Sequence, residues 1–442
     1  MNYEESLAWL GQVPKFRENN EPGSAKQLLE RLGNPQHAFQ IIHVAGTNGK
    51  GSVCAFLEIM LRQAGYRTGL FTSPHLLRVN ERYRICGEDA DDLSFASACG
   101  QVRRAAEKME KEGIDGPTWF EVLFAAGLLI FREAKIDVLV METGMGGRLD
   151  ATNAVEAPKV CVITSVSLDH TQYLGGTVQK IAGEKAGIIK PAVPVVYDAS
   201  DPDVSLVITH AAMQAGSRAI PFVPGMAEIV RREEDGIDFI LNNTRFDHLA
   251  VHVPFAAEYQ VANASLALMA LRVFDPLKRI TDAQAAEALA KAKWPGRMQQ
   301  VMPGVILDGA HNPDGIRQFV KTVCEMQKSR PVCLLFSAVK EKDHEAMIRT
   351  LTAQTQFTSV VVTGVGGSRR EDPWRLAALF RRFTDAPVEA VDDPAGAFER
   401  ALALRPADGI LFCAGSLYLA AEILRMTQMR QRSRIQTAEI YC

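Results

Sequence analysis

The segment that most restricts this chain is Gly46-Thr47-Asn48-Gly49-Lys50-Gly51-Ser52. It follows an apolar, β-rich run from Phe39 to Ala45 and opens a stretch with helical apolar spacing from Val53 to Ala64. Strand, glycine loop and helix in that order make a cradle for phosphate. Glycines let the backbone turn its N–H groups inward, the helix N-terminus adds partial positive charge, and a lysine reaches the outer phosphate oxygens. The loop departs from the common G-x-x-x-x-G-K-[ST] form: Val44 stands at the first glycine position and Gly51 replaces the hydroxyl residue after Lys50. Phosphate binding by the loop is expected all the same, without the usual magnesium-ligand role for the residue after lysine.

The surrounding pattern alternates strands and helices. Tyr66 to Thr72 reads as a second strand, Phe120 to Ala134 as a buried helix, and Ile136 to Met141 as a strand that delivers Glu142 at its end. Val160 to Ser165 is a further strand, followed by a helical stretch from Val178 to Ile189. Such alternation implies an α/β fold with a mainly parallel sheet covered on both faces. Short alternating segments from Ile229 to Val253 suggest a small antiparallel addition, and helices are expected at Tyr259 to Val273 and Asp282 to Ala292. Trp294-Pro295-Gly296 then interrupts the pattern, and strands at Val305 to Asp308, Val332 to Phe336, Ser359 to Thr363 and Gly409 to Cys413 announce a second, smaller α/β domain. The expected organisation is a first domain over residues 1–295, a second over 296–428 and a loose polar tail over 429–442.

Bulk properties narrow the function. A chain of 442 residues with 47% hydrophobic and 23% charged residues has ample material for two cores. Net charge of −3 carries no electrostatic footprint for nucleic acid. Eight cysteines without a C-x-x-C pair suggest neither zinc nor a disulfide framework, which fits a reducing cytoplasm. The acidic N-terminal stretch does not read as a signal peptide, and the apolar run Val122 to Phe131 is far short of the roughly 20 residues that span a bilayer. Lys50, Ser73, Glu142 and His170 each follow a different expected strand. Ligands of open parallel sheets collect beyond the carboxyl ends of strands, so these four can converge there.

Further along, motifs accumulate in a fixed order: T-S-P-H-L at Thr72 to Leu76, T-W-F-E at Thr118 to Glu121, E-T-G-M-G-G-R-L-D-A-T-N at Glu142 to Asn153, and S-L-D-H at Ser167 to His170. G-E-K-A-G-I-I-K at Gly183 to Lys190, W-P-G-R at Trp294 to Arg297, D-G-A-H-N-P at Asp308 to Pro313 and G-S-L-Y at Gly415 to Tyr418 complete the set. With these motifs the chain resembles, over nearly its whole length, the folylpolyglutamate synthase/dihydrofolate synthase branch of the Mur ligases. The resemblance implies a P-loop-type ATPase domain followed by a Rossmann-like domain. It also implies roles. Asn48, Gly49, Lys50, Gly51 and Ser52 would hold ATP phosphates, with Asn263, Arg297, Asp308 and His311 completing the nucleotide site. Ser73, Glu142, His170 and Lys185 would serve two magnesium sites, Lys185 as a carbamate formed with carbon dioxide, and Lys50, His170 and Lys185 would carry the catalysis. Thr118, Trp119, Phe120, Glu121, Leu149, Asp150 and Ala151 would line the pterin or pteroate pocket.

The activity that the resemblance implies is ATP-dependent amide ligation of L-glutamate to reduced folate, dihydropteroate or both, through an acyl phosphate. It further implies a cytoplasmic monomer with no nucleic-acid or membrane partner. A Mur ligase of peptidoglycan assembly and a nucleotide-dependent binding module are the alternatives. The family pattern G-x-H-Q-x-x-N-A reads here Ala257-Glu258-Tyr259-Gln260-Val261-Ala262-Asn263-Ala264, so its glycine and histidine are replaced. The stretch Val362 to Arg370 lacks the proline-arginine pattern of some relatives, which leaves the glutamate contacts unassigned.

Overall fold

A computed structural model describes residues 1–16, 23–233 and 235–440. The chain forms two compact units. The first comprises Met1–Arg231, Asp238–Pro254 and Gln260–Ala292; the second comprises Arg232–Ile237, Phe255–Tyr259 and the chain from Lys293 onward. The main changeover falls at the Trp294-Pro295-Gly296 interruption. The two short excursions into the second unit leave no mark in the hydrophobic pattern.

The first unit is built on an eight-stranded sheet. Its strands are β1 (Gln40–Ala45), β2 (Thr68–Phe71), β3 (Tyr83–Ile85), β4 (Glu88–Asp89), β5 (Val138–Glu142), β6 (Val160–Ile163), β7 (Val195–Asp198) and β8 (Ala219–Phe222), in the order β4-β3-β2-β5-β1-β6-β7-β8. Six are parallel, and only the β3–β4 edge runs antiparallel. The central strands β1, β5 and β6 are apolar along nearly their whole length because helices cover both faces. Helix Lys50–Gln63 starts directly from the glycine loop and buries everything from Gly51 to Leu61. Helix Trp119–Glu133 buries Val122 to Phe131. The apolar run too short for a membrane is thus a core helix, and among the described residues no helix is long and apolar enough to cross one.

Strands β9 (Ala227–Arg232), β10 (Ile237–Asn243) and β11 (Phe246–Val253) form a separate sheet in the order β11-β10-β9. The second unit holds β12 (Gln299–Met302), β13 (Val305–Leu307), β14 (Val332–Phe336), β15 (Phe357–Val362), β16 (Val388–Ala390) and β17 (Ile410–Ala414), ordered β12-β13-β17-β14-β15-β16. All but β12 are parallel, so the loops after β13, β14, β15 and β17 share one rim. One expectation is corrected. The segment from Met429, read as a loose tail, continues helix Leu417–Ile440, and residues 441 and 442 lie outside the described residues. The segment is polar, but polarity does not break a helix, and no glycine or proline interrupts it.

Candidate active site

The glycine loop is held from several sides. Thr164 and Ser165, just after β6, donate to the carbonyl of Asn48 at 2.6 and 3.3 Å, and the Thr47 hydroxyl donates to Ser167 O at 3.1 Å while accepting from Ser167 N. Gly49 has φ +87°, and a Cβ there would lie 2.3 Å from Asn263 Oδ1, so both backbone and space demand glycine. Asn263 Nδ2 donates to Gln260 Oε1 at 2.9 Å, and Gln260 Nε2 donates to Ser52 Oγ at 3.3 Å. All three side chains are buried. Helix Tyr259–Phe274 thereby brings Asn263, distant in sequence, against the loop. Gln260 escaped the sequence reading; its place beside Asn263 in one motif was the available signal.

Two lysines share one acceptor. Lys50 Nζ donates to the carbonyls of Gly46 and Thr47, both at 3.1 Å, and Lys185 Nζ donates to Gly46 O at 2.7 Å. Lys185 is only 3% exposed. Burial, reinforced by the charge of Lys50, pulls its ammonium down to about 7, against the opposing pull of Asp169 and Asp150. Glu142, buried at the end of β5, lies 4.0 Å from Lys50 Nζ through Oε1 and accepts Ser73 N at 3.0 Å through Oε2. His170 has a left-handed backbone, a half-exposed ring and Nε2 3.9 Å from Asp169 Oδ2. The first unit therefore gathers Asn48, Gly49, Lys50, Gly51, Ser52, Ser73, Glu142, Lys185 and Asn263 around the loop.

No group of three or more His, Cys, Asp or Glu side chains able to hold a metal ion is found among the described residues. Magnesium keeps waters and substrate phosphates and needs only one or two carboxylates. The carboxylate of Glu142 is buried beside the glycine loop, a donor of the type such an ion would take.

The residues expected at a pterin pocket are seen in structural contacts. Thr118 caps helix Trp119–Glu133, accepting from Glu121 N at 3.4 Å, and Glu121 Oε2 accepts Thr118 N at 2.6 Å. T-W-F-E is thus a capping box. Trp119 carries the Arg82 guanidinium 5.0 Å above its ring, and Phe120 closes on Gly144, where a Cβ would meet the ring at 2.5 Å. Asp150 accepts Met145 N at 2.8 Å and the Thr152 hydroxyl at 2.6 Å, and Thr152 in turn meets His43 Nε2 at 2.8 Å. Burial raises the Asp150 carboxyl, and these hydrogen bonds oppose the rise. Ala151 is buried beside it and Leu149 is exposed.

In the second unit, the end of β13 holds a second carboxylate. Asp308 accepts Ala310 N at 2.8 Å through Oδ1, and Met298 N at 2.8 Å and the Tyr259 hydroxyl at 3.1 Å through Oδ2. Burial raises its carboxyl, while the charge of Arg297 works the other way. A Cβ at Gly309 would lie 2.5 Å from Arg297 Nη1, so glycine lets the arginine reach this loop. His311 Nδ1 meets Gly309 O at 2.7 Å. Tyr259, noted in the sequence as a departure, is the hydroxyl that holds Asp308.

Residues 117–271 match the Mur ligase middle domain and residues 296–417 the Mur ligase, glutamate ligase domain. The chain is 36% identical to the dihydrofolate synthase/folylpolyglutamate synthase of Bacillus subtilis, over 79% of this chain and 82% of that protein. The structure is similar to Mycobacterium tuberculosis folylpolyglutamate synthase complexed with ADP, with TM-score 0.87 and 28% identity, covering 96% of this chain and 98% of the other. It is also similar to the E. coli homologue in complex with DHPP and ADP, with TM-score 0.85 and 26% identity, covering 98% and 99%. The family domains matched in order and identity at this level over most of the length lead to one conclusion: the chain belongs to the folylpolyglutamate synthase/dihydrofolate synthase family of Mur ligases, which are ATP-dependent ligases.

Proposed function

We propose that the protein joins L-glutamate through an amide bond to folates, with dihydropteroate as a second acceptor, by way of an acyl phosphate. The observation that carries this reading is the buried Glu142 carboxylate beside Lys50 of the phosphate loop, in a chain whose second unit is a glutamate-ligase domain. A free carboxylate has a poor leaving group and must be activated before an amine can displace oxygen. The acceptor carboxylate attacks the γ-phosphorus of ATP, ADP leaves, and the amine of glutamate then displaces phosphate through a tetrahedral intermediate. Charge builds on phosphoryl oxygens during the first step, and fixed donors aimed there stabilise it most effectively. The loop N–H groups and Lys50 supply those donors, and Arg297 adds positive charge. In this reading Asn263 serves the nucleotide from the first unit, and Asp308 and His311 are candidates for it in the second.

Glu142, Ser73, His170 and a carbamate of Lys185 would hold magnesium, which when bound screens the phosphate charge from the attacking carboxylate. The low ammonium pKa of Lys185 supports the carbamate, since only the neutral amine captures carbon dioxide. Phe120, Trp119 and the Leu149–Ala151 segment offer an apolar wall for a pterin ring, with Thr118, Glu121 and Asp150 holding that wall in shape. Purified protein with ATP, magnesium and glutamate, offered dihydropteroate and tetrahydrofolate in parallel, should yield the glutamylated product of each by mass. Oxygen-18 placed in the acceptor carboxylate should emerge in phosphate. ATP turnover that ignores both acceptors would refute the reading.

A further inference from the structure

An ionised carboxylate has about four acceptor positions. In Asp308 three of them are filled from its own unit: Ala310 N donates to Oδ1, and Met298 N and the Tyr259 hydroxyl donate to Oδ2. The position left open is therefore on Oδ1. Two of the three donors are backbone groups, which any residue would supply. The third is a side chain, and it stands where the family pattern G-x-H-Q-x-x-N-A has histidine.

Packing holds that side chain in place. Tyr259 ends the segment Phe255–Tyr259 of the second unit, and with Ala256 it lies partly buried against that unit's core, of which Ala257 is a member. Burial and the charge of Asp308 hold the phenol well above its ordinary value, against the pull of Arg297, so the hydroxyl keeps its proton throughout the neutral range. The contact acts on the carboxyl as well. Burial pushes Asp308 toward its neutral form, and Arg297, the N–H groups of Met298 and Ala310 and the Tyr259 hydroxyl oppose that push. Of the charged groups nearby in sequence, Glu258 is paired with Arg232 at 3.0 Å, and His311 meets Gly309 O through Nδ1. Two donors on Oδ2 direct any added proton to Oδ1, where it would turn the one open acceptor into a donor.

We propose that Tyr259 is a positioning residue for the nucleotide: its hydroxyl keeps Asp308 Oδ1 an acceptor, open to an O–H or N–H of ATP. This rests on the nucleotide reading of Asp308 above. ADP dissociation constants from calorimetry test the two separately. Tyr259→Phe keeps the ring and its packing and removes one donor, so it should weaken ADP roughly 10-fold at neutral pH, the scale of one hydrogen bond to a charged group. The loss should grow as pH falls toward 5, because a carboxyl short of one donor takes up its proton at higher pH than in the wild type. Asp308→Asn should weaken ADP at least as much, and Tyr259→Phe added to it should cost nothing further, since the hydroxyl acts through the carboxylate. Three results each overturn the proposal: Tyr259→Phe binds ADP like wild type, it melts lower while ADP affinity and its pH dependence stay put, or it weakens ADP equally with and without the Asp308 carboxylate. If Asp308→Asn itself binds ADP like wild type, the nucleotide reading of Asp308 falls, and the proposal falls with it.

Discussion

Lys50 and Lys185 donate to the same carbonyl, Gly46 O, and that shared acceptor separates their chemistry. Lys50 sits at the start of a helix with Glu142 nearby and keeps a counterion. Lys185 is enclosed, next to another cation, and burial brings its ammonium to about 7. As pH rises through that value the neutral amine becomes the main form, and only that form can add carbon dioxide. Ligase activity should therefore rise from pH 6 to 8 in the presence of bicarbonate, and degassed, bicarbonate-free buffer should lower it. Lys185→Ala should lose on the order of 10²-fold in kcat, the scale of one removed transition-state stabiliser, while ADP binding measured by calorimetry persists. A pH profile and bicarbonate response identical to those of Lys185→Ala would count against the carbamate. Sequence showed both lysines through their motifs. Their common acceptor was hidden, because it pairs Gly46 with a helix 139 positions away in the chain.

At the scale of elements, short motifs carry two duties at once. T-W-F-E reads from sequence as a substrate segment by resemblance, and the structure shows that its first and last residues cap a helix whose body is core. Thr118→Ala should therefore lower stability by about 1 kcal/mol, the usual cost of a lost N-cap. Thermal melts should show this, and Thr118→Ser should restore it. A Thr118→Ala protein that melts like wild type would show that the cap contributes nothing. Strand and helix positions were mostly legible, as in β14, where a run of buried apolar residues has no other good solution. The antiparallel β3–β4 edge and the helix Asp92–Lys111 were not, since the first is very short and the second shows its buried face only against a neighbour. The helical continuation past Met429 was missed because polarity was taken for disorder.

For the molecule as a whole, the buried His43 and the partly buried His75 tie stability to pH. His43, in the middle of β1, is held neutral by burial, with Lys190 adding to the effect, so that its folded pKa falls from 6.5 to about 3. His75 is lowered to about 4, chiefly by burial and then by Arg82. Below pH 6.5 the unfolded chain takes up these protons and the folded chain does not, so stability falls as pH drops from 6.5 toward 3. Melting temperature against pH should show this slope. His43→Gln, which keeps an N–H donor for Thr152 without a titrating ring, should flatten it. An unchanged slope in that variant would remove His43 as a cause.

The sequence by itself determined the alternating α/β architecture, the glycine loop between strand and helix, the carboxylate at the end of β5 and the break near Trp294, because each rests on local periodicity or on a contiguous motif. It also carried the family, through motifs in fixed order. Only the tertiary structure decided that Asn263 and Gln260 brace the glycine loop, that Tyr259 holds Asp308, and that Arg369, Glu341 and Tyr418 meet on one rim. Those contacts join residues far apart in the chain. Parallel strands place the loops that follow them side by side whatever their separation in sequence, and no local pattern records which loops become neighbours.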